Sequence, residues 1–218
     1  MESIVFKSLL VVIFITVLGC IPYGIWVIIS MVKRRWRRVA LQIGIPAAFY
    51  AALFGTWLVC REKVSQDELA GVYGTEAKLG PAIFEYDSDR AFNGDGYSFA
   101  VYELPESIRK RFETADAAFL ATYPIRPEYR SKWQSTSWME APLDPAYNAH
   151  LDFALSSYDS EKAPKMAAHF EAVRRALSRK GAYYACFYNS PSGSHINDID
   201  LFVVDLGDGR LYIINQNT

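Results

Sequence analysis

The stretch Ile199-Asp-Leu-Phe-Val-Val-Asp-Leu-Gly-Asp-Gly-Arg-Leu-Tyr-Ile-Ile-Asn215 holds two apolar, strand-forming runs, 199–206 and 210–215, separated by Gly207-Asp-Gly209. Glycine and aspartate tolerate the positive φ that a tight reversal demands, so the stretch reads as a β-hairpin. A third apolar run, 182–188, precedes it and supplies a further strand. Upstream, residues 161–180 form the best amphipathic helix, with Met166, Phe170, Val173 and Leu177 on one stripe, basic residues in the last turn, and Gly181 as its terminating glycine. Further back, runs 81–86 and 97–104 flank a turn-rich 87–96 segment, which suits a hairpin with a long loop. Pro105 then opens a helix carrying Ile108, Phe112, Ala115 and Phe119 at helical spacing. Residues 123–144, with Pro124, Pro127, Pro142, Trp133 and Trp138, follow neither period and predict an irregular, aromatic-packed excursion. Ser65 and Glu68 stand at capping-box spacing, predicting a short helix that ends near Gly71 or Gly74. Strands first, helices in the middle and an antiparallel sheet at the end make residues 61–218 an α+β domain with two or three helices.

The N-terminal sixty residues differ in kind. They hold six basic residues against one acid, while the remainder holds 17 against 23. Residues 8–32 and 39–60 carry no charge and are long enough to cross a bilayer as helices. Between them lies Lys33-Arg-Arg-Trp-Arg-Arg38, whose charges Lys33, Arg34, Arg35, Arg37 and Arg38 are expected to stay on the cytoplasmic side. The expected architecture is a two-helix transmembrane hairpin with both termini outside and residues 61–218 in the periplasm. Val17-Leu-Gly-Cys20 after an apolar run also fits a lipoprotein cleavage site. The chain stays apolar over 21–32, however, which favours a continuous span. Gly19, Gly24, Ala47, Ala48, Ala51, Ala52 and Gly55 offer small-residue surfaces for contact within the membrane. The acidic remainder argues against a nucleic-acid partner.

Chemistry-bearing patterns are sparse. Asp87, Asp89, Asn93 and Asp95 supply oxygen ligands, but Ala91 and the lack of a closing glutamate break the spacing that a calcium loop needs, so turn chemistry is the better reading. The loop carrying Ser190, Ser192, Ser194 and His195 has no nucleophile elbow. His150 and His169 lack metal-ligand spacing. Cys186 sits in an apolar strand run and reads as buried. No catalytic residue, metal or cofactor is expected. The aromatics Tyr123, Tyr129, Trp133, Trp138 and Tyr147 read first as a core built of large residues and second as a recognition surface, since aromatic anchors dominate interface energetics; Asp87, Asp89, Asp95, Trp133 and Trp138 are the candidate partner-binding residues.

Ala91-Phe-Asn-Gly-Asp-Gly-Tyr97 and the closing hairpin through Tyr212 resemble motifs in small, uncharacterised bacterial envelope proteins that pair a Gly-Phe-His-Gly-Asp-Gly-like loop with a C-terminal hairpin. The chain departs from that pattern at Ala91 and Asn93. The resemblance implies a bacterial envelope protein and assigns no site. The resulting expectation is a non-enzymatic inner-membrane protein whose periplasmic domain binds a protein, most concretely an immunity protein neutralising an interbacterial toxin. The alternatives are an accessory subunit of a membrane complex and an envelope hydrolase acting through Asp87, Asp95 or His195.

Overall fold

The computed structural model describes residues 22–88, 95–156, 163–191 and 195–218. The chain divides into two compact units, one ending at Glu62 and one spanning Lys63–Thr218. The expected span over 8–21, the Val17–Cys20 motif, Asp89, Asn93, Ser192 and Ser194 lie outside the described residues.

In the first unit, helix α1 (Pro22–Val32) leads through a short turn into α2 (Trp36–Tyr73). Helix α1 closes with a left-handed residue, Arg34 at φ 49°. The Arg35 amide donates to the Ser30 carbonyl at 3.0 Å and the Arg34 amide to Met31 at 2.9 Å, which satisfies carbonyls that a helix end would leave orphaned. Among the described residues, one helical segment is long and apolar enough to cross a membrane: the 24 residues Trp36–Val59. Its side chains Leu41, Ile43, Ile45, Phe49 and Leu53 are exposed. Pro46 lies inside this helix and has no amide hydrogen to give Gln42 four residues earlier. The Tyr23 hydroxyl donates to that Gln42 carbonyl instead, tying α1 to α2 at the point where the proline breaks the ladder.

The helix expected to open at Ser65 does not exist as a separate element, because α2 runs unbroken to Tyr73. Residues 56–70 contain neither glycine nor proline, so nothing ends the preceding helix and no new start is needed. Termination comes at Gly74, with φ +65°, whose amide donates to the Ala70 carbonyl. A β-carbon there would meet the Phe119 ring at 2.6 Å and Tyr123 at 3.0 Å. Gly74→Ala is therefore expected to cost about 1–3 kcal/mol through left-handed strain, with the ring clash added, read as a lower unfolding midpoint of the full chain in detergent. An unchanged midpoint would show that the helix end relaxes freely.

The second unit is α+β. Seven antiparallel strands form one sheet: β1 (Phe84–Asp87), β2 (Gly96–Glu103), β3 (Gln134–Ser135), β4 (Met139–Glu140), β5 (Ala182–Asn189), β6 (Asp198–Asp205) and β7 (Arg210–Asn217), in the order β1-β2-β7-β6-β5-β3, with β4 also on β5. The hairpin 199–215 supplies the centre, and every residue of β6 after Asp198 is buried. That burial on both faces explains the near-continuous apolar run in its sequence. One face packs against α5 (Asn148–Ala154) and α6 (Ala163–Ala176) through Leu151, Met166, Val173 and the inward-facing Phe99, Leu201 and Ile214. The other packs against the end of α2, α3 (Glu106–Glu113) and α4 (Ala117–Thr122) through Tyr73, Ile108, Phe112, Phe119 and Trp138.

The helix expected over 105–119 is split in two. Asp116 accepts the Phe119 amide at 2.7 Å and so caps a new helix. The split lets Phe112 and Phe119 meet edge to face at 5.3 Å. Helix α6 ends at Ala176, short of the expected Lys180, with Gly181 at φ +88° leading into β5. Helix α5 was not foreseen, because its apolar positions occupy barely two turns.

Candidate functional site

Strand alternation and register place one polar row across the sheet face that α2, α3 and α4 cover. Asp87 stands opposite Ser98, Ser98 opposite Asn215, and Asn215 opposite Asp200. The neighbouring row toward the strand ends holds Asn189, Asp198 and Asn217, with the Asn189 amide donating to Asp198 at 2.8 Å. These two rows are polar apart from Phe187, which stands opposite Asp200 on β5.

What lies over this part of the face is a cleft of about 600 Å³. One wall is the last turns of α2, with Val64, Asp67, Glu68 and Val72; the other is the 125–130 loop, with Ile125, Pro127, Tyr129 and Arg130; the floor is Phe187, Asp200, Phe202, Ile213 and Asn215. The Ile125 amide donates to the Gly71 carbonyl at 2.8 Å and pins the loop to the helix. Tyr129 and Glu68 both line the mouth, and burial first, then the Glu68 and Asp200 carboxylates, raise the pKa of the Tyr129 phenol.

At the floor, Arg130 meets Asp200 in a two-pronged ion pair, Nε to Oδ2 at 3.1 Å and Nη2 to Oδ1 at 3.3 Å. The Asn215 amide donates to the same carboxylate. The Arg130 guanidinium lies 3.6 Å above the Trp133 ring centre, a cation–π contact that fixes its plane. Asp200 is 9% exposed. Burial lifts its pKa above the ordinary carboxylate range, against the pull of Arg130 and Asn215, which stabilise the anion.

The residues singled out in the sequence are dispersed by the fold. Asp87 is exposed on the edge strand, in the same row as Asp200. Asp95 is half-buried just before β2, and Trp133 is half-buried beneath Arg130. Trp138 is a correction: at 2% exposure it is core, its indole donates to the Val72 carbonyl at 2.9 Å, and it offers no surface to a partner. Lys33, Arg34, Arg35, Arg37 and Arg38 are all exposed. Tyr129 is among the aromatics that the sequence offers as a recognition surface, whereas Arg130, Asp200 and Asn215 carry no sequence pattern that marks them as a site. The nearest to a signal is Asp200, a charged residue inside an apolar strand.

Other reactive groups are held in structure. Cys186 is buried, hydrogen-bonded with Thr136, and burial pushes its thiol up to about 12, which makes it inert. His150 packs edge-on to Tyr188 at 4.5 Å, and burial lowers its pKa. His195 is exposed, its carbonyl accepting from Ser190 at 2.8 Å. Among the described residues no group of three or more His, Cys, Asp or Glu side chains converges as a metal site would require. Set against known proteins, the chain matches no family model, no curated protein and no solved structure.

Proposed function

We propose that the chain is a membrane-held binding protein whose globular unit recognises a protein partner through the cleft, in the concrete form of an immunity protein that intercepts an interbacterial toxin in the periplasm. One observation carries the reading. Val64, Ile125 and Tyr129, exposed at 57%, 53% and 65%, are three of the four large apolar side chains exposed in the described part of the 63–218 unit, and all three line the cleft. An apolar rim around a tyrosine, a stacked arginine and a desolvated ion pair is the composition of a protein-binding hot spot. The carboxylates Asp67 and Glu68 on its wall, with Asp198 beside Asp200, favour a partner that presents basic side chains.

Membrane attachment is supported by the apolar 36–59 segment and by the exposed apolar side chains Ile25, Ile28 and Val32 of α1, with the basic 33–38 turn held in the cytoplasm. Both runs then span the membrane, and the globular unit lies in the periplasm.

Two substitutions test the cleft. Ile125→Asp and Tyr129→Ala lie on the surface, so each leaves stability within about 0.5 kcal/mol. Each weakens partner binding by about tenfold or more, as loss of a hot-spot anchor does. In co-culture with a toxin-delivering competitor, sensitive cells making the full chain survive, and cells making either variant at equal level do not. An unrelated membrane anchor in place of residues 1–60 preserves protection. Protection that survives both cleft substitutions, or that vanishes with the anchor swap, sinks the reading; the second outcome favours an accessory membrane subunit.

A further inference from the structure

A groove of about 500 Å³ opens between α1 and α2 within the first unit, walled by Tyr23 and Trp26 on one side and by Arg38, Leu41, Gln42, Ile45 and Pro46 on the other. Leu41 and Ile45 are 61% and 67% exposed, so one side of the groove is an open apolar track. Gln42 is the anomaly. It is 7% exposed, it lines the groove, and neither its amide nitrogen nor its amide oxygen has a partner within the chain. Its own backbone carbonyl, freed by Pro46, is already taken by the Tyr23 hydroxyl, so the side-chain amide is the polar group left over. An unpaired amide inside an apolar groove calls for a ligand with a hydrogen-bonding group at that depth.

We infer that this groove holds an anionic phospholipid of the cytoplasmic leaflet, with its phosphate on Arg38 and an ester carbonyl accepting from the Gln42 amide. The inference rests on the membrane topology proposed above. Arg38 and Gln42 are four residues apart on one helix, about 6 Å along its axis. That rise matches the interfacial layer of one leaflet, about 5–7 Å thick, which separates the phosphates from the hydrocarbon. The cation thus sits at phosphate level and the amide one turn deeper, where glycerol esters lie. Ile45 and Pro46 continue inward along the path of an acyl chain. Tyr23 and Trp26, packed edge to face at 6.0 Å, form the opposite wall of the groove. The remaining charges of the 33–38 turn draw anionic lipid to the groove, and basic pockets between membrane helices on this side suit such headgroups.

The test uses the full chain in nanodiscs of mixed phosphatidylglycerol and phosphatidylcholine, with lipid retained after extraction counted by native mass spectrometry. The wild-type chain retains phosphatidylglycerol in preference, and Arg38→Gln reduces that preference by about fivefold; Gln42→Leu, which loses a contact to an ester that both lipids carry, lowers the total lipid retained by about fivefold and leaves the preference as it was, and unchanged retention there overturns the ester contact. Arg34→Gln removes the same charge from the same turn and leaves the preference within about twofold, because that residue does not line the groove. Inorganic phosphate at millimolar concentration fails to displace the lipid. Equal retention of both lipids overturns the inference, as does an equal effect of Arg34→Gln and Arg38→Gln, or displacement by phosphate alone. If the chain is recovered outside the membrane fraction, the topology reading fails with it; a chain that inserts but shows no lipid preference overturns only the groove.

Discussion

Trp138→Ala is expected to destabilise the globular unit by about 3–5 kcal/mol, the range for emptying a large aromatic from a core. The indole is 2% exposed and packs edge to face on Phe112 at 4.8 Å and against Tyr73 at 5.7 Å. Its backbone amide is shared between the carbonyls of Leu120 and Tyr123, and its ring nitrogen donates to Val72. The residue therefore joins α2, α4 and the loop that carries the cleft wall. Trp138→Phe keeps most of the volume and strands only the Val72 carbonyl, costing about 1–2 kcal/mol. Pulse proteolysis of the full chain in detergent reads both. A loss below about 1 kcal/mol for alanine would mean that the loop, and with it the cleft, is built without this anchor.

Arg130→Met is the second large effect. It leaves the Asp200 carboxylate in its buried place without its cation, which costs about 3–5 kcal/mol at neutral pH. Arg130→Met with Asp200→Leu removes both charges and recovers most of that loss, since a buried pair replaced by apolar side chains is close to neutral. The pH dependence has a definite sign. Asp200 already has a raised pKa from burial, and loss of Arg130 raises it further. A carboxyl that binds its proton more tightly folded than unfolded destabilises the fold as pH rises from the unfolded value through the folded one. The penalty of Arg130→Met is then largest at neutral pH and shrinks on acidification as Asp200 takes up a proton. A penalty independent of pH would place its origin in lost packing on Trp133.

Much of this architecture was legible because it is written in local patterns. The 199–215 hairpin, the Met166 to Leu177 stripe and the 84–103 hairpin each depend on periodicity and turn residues within one short window. The pairing of β2 with β7 joins residues more than a hundred positions apart and leaves no local trace. It is this pairing that brings Ser98 beside Asn215 and completes the polar row. The Arg130 to Asp200 contact is equally non-local, which is why the floor of the cleft could not be read from spacing. Trp138 is ambiguous in the sequence for a related reason: an aromatic in a proline-rich segment without periodicity reads the same whether it faces a partner or the core. Helix boundaries failed where a competing signal won, as Asp116 did in cutting one helix into two.

The central claim is that the cleft is a protein-recognition surface. A photo-crosslinking amino acid placed at Tyr129 in the full chain, in cells challenged with the delivered toxin, tests it most directly, with Glu171 on α6, exposed on the opposite face of the sheet, as the comparison. The expected result is a covalent adduct between chain and toxin from position 129 and none from position 171. An adduct from 171 alone, or protected cells that yield no adduct at 129, would contradict it.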